Sequence, residues 1–241
     1  MNSMPSVSIV IPCKDEKGNI EALVRRVPDF AEALELIFVD GRSTDGTREE
    51  ILRLKDIFPE KNIRLLDQTD THGKGPAVRM AFETAQNDIL IILDADLTIA
   101  PEDMRLFYDE LRSGPGRLAS GTRFYYPIPP KAMRFLNYWG NRFFSKVISF
   151  IVGQKITDTL CGTKALWRED YEKIAVNRSI FGDFDPFGDF DLLFGAAYLK
   201  LKIHEIKLRY LIRMYGVTKI HRFSDGLLLL KICWIAMRKL R

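Results

Sequence analysis

A largely parallel central sheet with helices on both faces, an α/β fold, is predicted for this chain by three observations. Apolar runs of strand length alternate with longer segments of helical period through the first half of the sequence. Polar residues of unusual type follow directly after several of those runs, which in such a sheet is the edge where ligands bind. The chain has 241 residues, 46% of them apolar, enough to bury the core of one α/β domain.

Taken in order, Ser6 to Ile11 is predicted as a strand and Gly18 to Leu34 as a helix; Leu36 to Val39 is a strand and Thr44 to Lys55 a helix. Ile63 to Leu66 is a third strand, followed by a helix from about Pro76 to Ala85. The strand Ile89 to Leu93, a helix from Pro101 to Leu111 and a strand near Arg117 to Ser120 complete the alternation. After Gly121 the pattern breaks at Tyr126-Pro-Ile-Pro-Pro130. Lys131 to Val152 then reads as one or two amphipathic helices, rich in Phe, Tyr and Trp and punctuated by Lys131, Arg134, Arg142 and Lys146. A strand over roughly Lys202 to Tyr210 and a final apolar, basic helix from Phe223 to Arg241 follow.

Composition narrows the function classes. Cys13, Cys161 and Cys233 are odd in number and scattered, which argues against a disulfide framework and fits a reducing compartment. His72, His204 and His221 are isolated, so no histidine-based zinc site is expected. Net charge is only +4, but Arg209 to Arg241 holds eight bases against the single acid Asp225 and so favours anionic partners. Nucleic acid is not expected among them, because no recognition fold accompanies the basic segment. The first residues lack the apolar core of a signal peptide. Leu227 to Met237, interrupted by Lys231, falls short of the ~20 residues of a spanning helix.

Three polar clusters stand at strand ends: Pro12-Cys-Lys-Asp-Glu16, Asp40-Gly-Arg-Ser-Thr-Asp-Gly-Thr47 and Asp94-Ala-Asp96. Each alone is compatible with ordinary turn and helix-cap chemistry; together on one edge they describe a pocket. Asp94 and Asp96 flank the small Ala95, and two hard oxygen anions so close repel unless neutralised. Mg²⁺ or Mn²⁺ held between them and a diphosphate would do so. Lys74 lies between Gly73 and Gly75, whose backbone freedom allows close approach to a diphosphate. The amphipathic segment 131–152 is either a solvated cap on the sheet or a membrane-surface element. The second apolar, basic segment at 223–241 tilts this towards membrane contact.

These residues resemble family-two glycosyltransferases of the GT-A fold, most closely the dolichyl- or polyprenyl-phosphate sugar synthases of mannose type. The similarity covers nearly the whole chain. It is carried by Pro12 to Glu16, Val39 to Thr47, Gly73-Lys-Gly75, Asp94-Ala-Asp-Leu97, Gly121-Thr-Arg123, Asp158-Thr-Leu-Cys-Gly-Thr163 and Arg213-Met-Tyr-Gly-Val-Thr-Lys219. The resemblance implies one catalytic domain over 1–241, with a nucleotide-sugar-binding half at 1–123, an acceptor-binding half at 124–222 and a basic amphipathic helix at 223–241. It implies a donor site of Pro12, Lys14, Glu16, Asp40, Gly41, Ser43, Lys74, Asp94 and Ala95, with Asp94 and Asp96 as metal ligands. Arg123, Arg134 and Arg213 would meet the acceptor phosphate, with Arg142 a further candidate. Arg213 and Lys219 would sit on a loop that closes over the donor, with Gly216 as its flexible point.

Related synthases often carry Gln where this chain has Thr98, whose shorter hydroxyl reaches a metal only through water. Asp189 and Asp191 match the region in which the family places a base, and equally suit a helix cap. The resemblance thus implies an inverting transferase, moving a sugar from a nucleotide-diphosphate sugar to a polyprenyl phosphate at the cytoplasmic face of a membrane. A glycan or glycolipid hydroxyl acceptor, which needs a base, and a non-catalytic nucleotide-sugar-binding module are the alternatives.

Overall fold

The computed structural model describes residues 4–69, 73–130, 132–180, 188, 190–216 and 222–241. Lys131, Asp189 and Lys219 therefore lie outside the described residues. A seven-stranded sheet in the order β3-β2-β1-β4-β6-β5-β7 runs through the chain. The strands are β1 (Val7–Cys13), β2 (Leu34–Asp40), β3 (Asn62–Asp67), β4 (Ile89–Ile92), β5 (Leu118–Thr122), β6 (Lys164–Trp167) and β7 (Ile203–Lys207). The helices are α1 (Lys17–Arg26), α2 (Thr47–Ile57), α3 (Lys74–Thr84), α4 (Met104–Ser113), α5 (Phe135–Val152), α6 (Arg168–Asn177), α7 (Phe190–Tyr198) and α8 (Arg222–Leu240).

All pairs are parallel except those of β6, which runs antiparallel between β4 and β5. The sheet is buried on both faces, and alternate residues of one strand serve different cores. Val7, Ile9 and Ile11 of β1 pack with Ile20 and Leu23 of α1 and Phe107 of α4. Val10 points the other way, into a core shared with Val78 of α3, Ile148 of α5 and Leu193 of α7. Pro12 is tolerated in a central strand because β4 has ended there: pairing stops at Val10 with Ile92, and the Leu93 amide closes on the Val10 carbonyl.

Several boundaries differ from the expectations. Helix α1 ends at Arg26 rather than Leu34, since Val27 turns extended before Pro28, a residue that cannot continue the backbone ladder. Helix α2 starts at Thr47, not Thr44: Gly46 takes a left-handed conformation at its N-cap, and the Asp45 carboxylate accepts the Thr47 amide. Strand β6 and helix α6 were not expected. Lys164-Ala-Leu-Trp167 is only four residues long and begins with a lysine, and it is fixed as a strand by its two neighbours rather than by its own pattern. Segment 135–152 is one helix.

Helices α5 and α8 lie against each other, with the Arg241 guanidinium donating to the Phe150 carbonyl. Helix α8 buries Leu229, Ile232, Cys233 and Ala236, a stripe at helical spacing. A second apolar stripe, Leu227, Leu230, Trp234 and Met237, faces outward.

Candidate active site

The parallel strands deliver their carboxyl ends to one edge, and the loops leaving β1, β2 and β4 each contain a non-glycine residue in the left-handed region: Asp15, Arg42 and Leu97. Such backbone is retained only where surrounding bonds over-determine it. Those bonds run between the loops. The Asp15 amide donates to the Ser43 hydroxyl and the Thr44 amide to the Asp15 carboxylate, at 2.9 and 2.8 Å. The Glu16 amide donates to the Thr47 hydroxyl at 2.9 Å and the Lys17 amide to Asp45 at 3.1 Å. Gly41 donates to the Cys13 carbonyl at 2.8 Å. Pro12, Lys14, Gly41 and Ser43 are thus parts of one rim.

Asp40 closes β2 at 4% exposure. Its Oδ2 accepts the Ser43 amide, while its Oδ1 is buried with no hydrogen-bond partner among the described residues. A buried carboxylate oxygen without a partner is costly, and an N–H or O–H group of a ligand would satisfy it.

Across the rim, Asp94 and Asp96 each hold a cation of the protein. Lys74 Nζ lies 2.5 Å from Asp94 Oδ1, at the first turn of α3. Burial disfavours charge on Asp94, but the Lys74 ammonium and its hydrogen bond, with further help from Lys164 and Arg123, hold its pKa below the ordinary value. Lys164 is fully buried and donates to the Cys161 carbonyl at 2.6 Å. Gly162 presses on the Asp94 pair: a Cβ there would come 2.1 Å from Lys74 Nζ and 2.6 Å from Asp94 Oδ2. A side chain there would push the Lys74 ammonium and the Asp94 carboxylate aside.

Asp96 Oδ1 accepts both the amide and the hydroxyl of Thr98, at 3.0 and 2.7 Å. Thr98 is therefore a brace for Asp96. Asp96 Oδ2 is ion-paired to Arg213, whose other nitrogen is 3.2 Å from Glu16 Oε1. Glu16 is further fixed by the Asn19 amide at 2.6 Å. The loop after β7 is thereby drawn over the rim, and Tyr215 donates to Asp45 at 3.2 Å while its ring covers Gly18.

Behind these pairs sits a buried ion pair. Arg123 donates through two nitrogens to the two oxygens of Asp158, at 2.7 and 2.9 Å, and stacks on Tyr210. Asp158 is 0% exposed and also accepts Asn141. Its burial is outweighed by the Arg123 charge and hydrogen bonds, which hold its pKa below the usual carboxylate range. Burial likewise pushes the Cys161 thiol up to about 11, so it is no nucleophile at neutral pH.

A family model described as glycosyl transferase family 2 matches residues 8–175, well over half of the chain. The chain belongs to glycosyl transferase family 2. Over 183 residues it is 32% identical to the glycosyltransferase AglJ of Haloferax volcanii, covering 76% of this chain and 57% of that one. The dolichol-phosphate mannosyltransferase of Pyrococcus furiosus is 28% identical over 229 residues, 89% of this chain and 59% of its own length. The polyprenol monophosphomannose synthase of Mycolicibacterium smegmatis is 27% identical, with 88% and 79% covered. The family-2 chain thus spans under three fifths of the length of the first two of these relatives.

Among solved structures, glucosyl-3-phosphoglycerate synthase from Mycobacterium tuberculosis, in complex with Mn²⁺, UDP and glucosyl-3-phosphoglycerate, matches with a TM-score of 0.69 at 17% identity. That match covers 98% of this chain and 80% of the other. A mannosyltransferase from Pyrobaculum calidifontis in complex with GDP-Man and Mn²⁺ matches with a TM-score of 0.59 at 20% identity, over 93% and 60%. These likenesses establish the GT-A fold expected from the motifs.

Within this family-2 fold, Pro12 to Glu16, Asp40 to Ser43, Lys74, Asp94 to Asp96 and Arg213 come together on one rim. Other expected site residues stand elsewhere. The two-toothed edge of Arg123 is consumed by Asp158, not open to a ligand phosphate. Arg134 is exposed at the start of α5. Asp191 is buried at the start of α7, where Arg178 reaches its Oδ2 at 3.1 Å. Gly162, Lys164 and Tyr215 join the site although residue type alone does not mark them. Gly162 belongs to Asp158-Thr-Leu-Cys-Gly-Thr163, but nothing in its sequence neighbours marks the contact with Lys74. No group of three or more His, Cys, Asp or Glu capable of holding a metal occurs among the described residues.

Proposed function

We propose that the chain transfers a hexosyl group, with inversion, from a nucleotide-diphosphate sugar to a polyprenyl phosphate. The observation that carries this reading is the rim on which Asp94 and Asp96 hold Lys74 and Arg213 beside the partnerless buried oxygen of Asp40. An uncharged ligand would have no use for two such acid–base pairs. A nucleotide diphosphate has an N–H or O–H for Asp40 and anionic oxygens for Lys74 and Arg213.

Asp94 and Asp96 fit a divalent metal by the chemistry of their donors. They supply hard carboxylate oxygens on either side of Ala95 and already hold positive charge, and two protein ligands are what Mg²⁺ or Mn²⁺ takes when a diphosphate and water complete its shell. Such a metal supplies Lewis-acid stabilisation of the leaving diphosphate. Lys74, at the first turn of α3, adds its own charge and that of the helix end to the diphosphate. Arg213 joins it as the loop after β7 closes over the donor.

In the transfer, a phosphate oxygen of the acceptor attacks the anomeric carbon as the bond from that carbon to the diphosphate breaks. The electron pair leaves with the nucleoside diphosphate, and no proton has to move, because the acceptor phosphate is already ionised. This reading needs no base from Asp191, which we assign to holding the start of α7 through Arg178. Arg123 acts as a positioning residue that holds Asp158 and so the 158–163 loop against Lys74. The names of the Pyrococcus and Mycolicibacterium relatives support a polyprenyl acceptor and make mannose the first sugar to try.

No helix among the described residues is long and apolar enough to cross a membrane. The outward apolar stripes of α5 and α8, flanked by Arg and Lys, support peripheral contact with the membrane that holds the acceptor. The test is transfer of label from nucleotide sugars to polyprenyl phosphate, with and without divalent metal. Product that persists in a chelator would remove the metal from this reading.

A further inference from the structure

Gln68 is the first residue after β3 and is only 3% exposed, although its side-chain amide brings N–H donors and a carbonyl that need partners. Its backbone belongs to the Asp40 side of the rim. The Gln68 amide donates to the Asp40 carbonyl at 3.0 Å, and Arg42 Nε donates to the Gln68 carbonyl at 3.2 Å. The side chain runs past Gly41, where a Cβ would stand 3.5 Å from Gln68 Oε1 and 3.3 Å from the Cys13 carbonyl. It ends on the other side of the rim: Gln68 Nε2 donates to the Gly73 carbonyl at 3.0 Å.

Gly73 is the N-cap of α3 and directly precedes Lys74. Its φ of 94° and ψ of 169° fall in a region that only glycine occupies readily, and such backbone persists where a neighbouring bond fixes it. Having no side chain, Gly73 makes no cap bond of its own. The bond from Gln68 is thus a hold on the turn that aims the first residues of α3, Lys74 among them, at Asp94.

We infer that Gln68 is a positioning residue for the donor diphosphate, tying the Asp40 wall to the turn that carries Lys74. This role rests on the proposed nucleotide-diphosphate donor and deepens it. The nucleoside meets Asp40 and the diphosphate meets Lys74, so one ligand has to satisfy both ends at once. A side chain that fixes the spacing between the ends lowers the ordering cost of binding. Glutamine suits the task because an ionised glutamate, which has acceptors only, would turn negative oxygens on the Gly73 carbonyl.

The experiment is titration of the full chain, in buffer containing Mn²⁺, with uridine and UDP and with guanosine and GDP, the pair that binds the parent being carried into the variants. Gln68→Met keeps the length of the side chain and removes the donor. The exposed Gly73 carbonyl then turns to water, so the melting temperature should stay near that of the parent. Diphosphate affinity should fall about tenfold and nucleoside affinity should not change. Gly73→Ala, which denies the turn its φ, should give the same pattern. In the double variant the loss should be no greater than in the larger single one, because both act through one turn. In transfer assays the KM for the nucleotide sugar should rise about tenfold, while that for polyprenyl phosphate stays as in the parent.

Equal losses for nucleoside and diphosphate overturn the inference, since a packing defect alone would produce them. So does an unchanged diphosphate affinity, or a double variant whose losses multiply. Gly73→Ala lies at the surface with Gln68 in place, and it decides the matter if the buried substitution does not fold: an unchanged ratio of diphosphate to nucleoside affinity there contradicts the role. A parent that transfers sugar, with variants that keep that ratio, sinks the role of Gln68 and leaves the proposed function standing. A parent that binds neither UDP nor GDP sinks both.

Discussion

The rim and the α5–α8 face are built on opposite principles. On the rim, polar groups are tied to named partners across loops, as Asp96 is to Thr98 and Arg213, and Glu16 to Asn19 and Arg213. On the α5–α8 face, large apolar groups such as Trp139 and Trp234 stand more than half exposed, with Arg238 over the Trp234 ring. One region specifies a small charged ligand by geometry; the other offers area to something apolar without fixing its position. The two demand different tests, because removing one atom should matter on the rim and hardly at all on the face.

The largest contrast is expected from Asp96→Ala. Losing a metal and Arg213 anchor should lower transfer by at least about a thousandfold, while the melting temperature stays close to that of the parent. Retained activity in a folded variant would separate Asp96 from the chemistry.

Next comes the buried pair behind the rim. Asp158→Asn leaves Arg123 buried without its counter-charge and should cost about 3–5 kcal/mol in a denaturant titration. The folded pKa of Asp158 lies below the ordinary 3.8. Its contribution is therefore complete above that value and is lost as pH falls through the lower, folded value. The stability gap between parent and variant should stay constant above about pH 5 and shrink in acid; a gap that widens in acid would contradict the pair.

Arg213→Ala should cut kcat about a hundredfold, as loss of one stabilising donor commonly does, with a smaller loss of stability than in the Asp158 variant, since its side chain is about a quarter exposed whereas Asp158 is fully buried. An unchanged rate would reduce Arg213 to a structural tie between Glu16 and Asp96. The smallest effect on the chemistry should come from the other region: Leu227→Ser with Trp234→Ser should weaken binding to anionic vesicles about tenfold and leave turnover of a short, water-soluble acceptor unchanged. Vesicle binding equal to that of the parent would remove α8 from the membrane contact.

The same contrast explains what could be read from the sequence. The βα alternation was legible because parallel strands are short apolar runs with helical segments between them, and the rim was legible because its acids cluster just after those runs. Beyond Gly121 legibility falls. Strand β6 is held by β4 and β5 rather than by its own four residues, and α6 follows it without a turn signal. The partners of the rim residues were not legible either. That Arg123 is spent on Asp158, that Thr98 braces Asp96 and that Gly162 leaves space for Lys74 are contacts between segments distant in sequence, which residue type and spacing do not encode. The aromatic segment 131–152 was visible as amphipathic, but which of its side chains pack inward and which face outward follows only from how α5 packs.

The most direct test of the account is a transfer assay pairing a panel of nucleotide sugars with polyprenyl phosphate, run with Mg²⁺, with Mn²⁺ and with a chelator. The account predicts a glycosyl phosphoryl lipid from at least one donor, formed only with metal. Nucleotide-sugar turnover that yields product on a glycan or glycolipid hydroxyl and none on the lipid phosphate, or donor binding with no turnover at all, would contradict it.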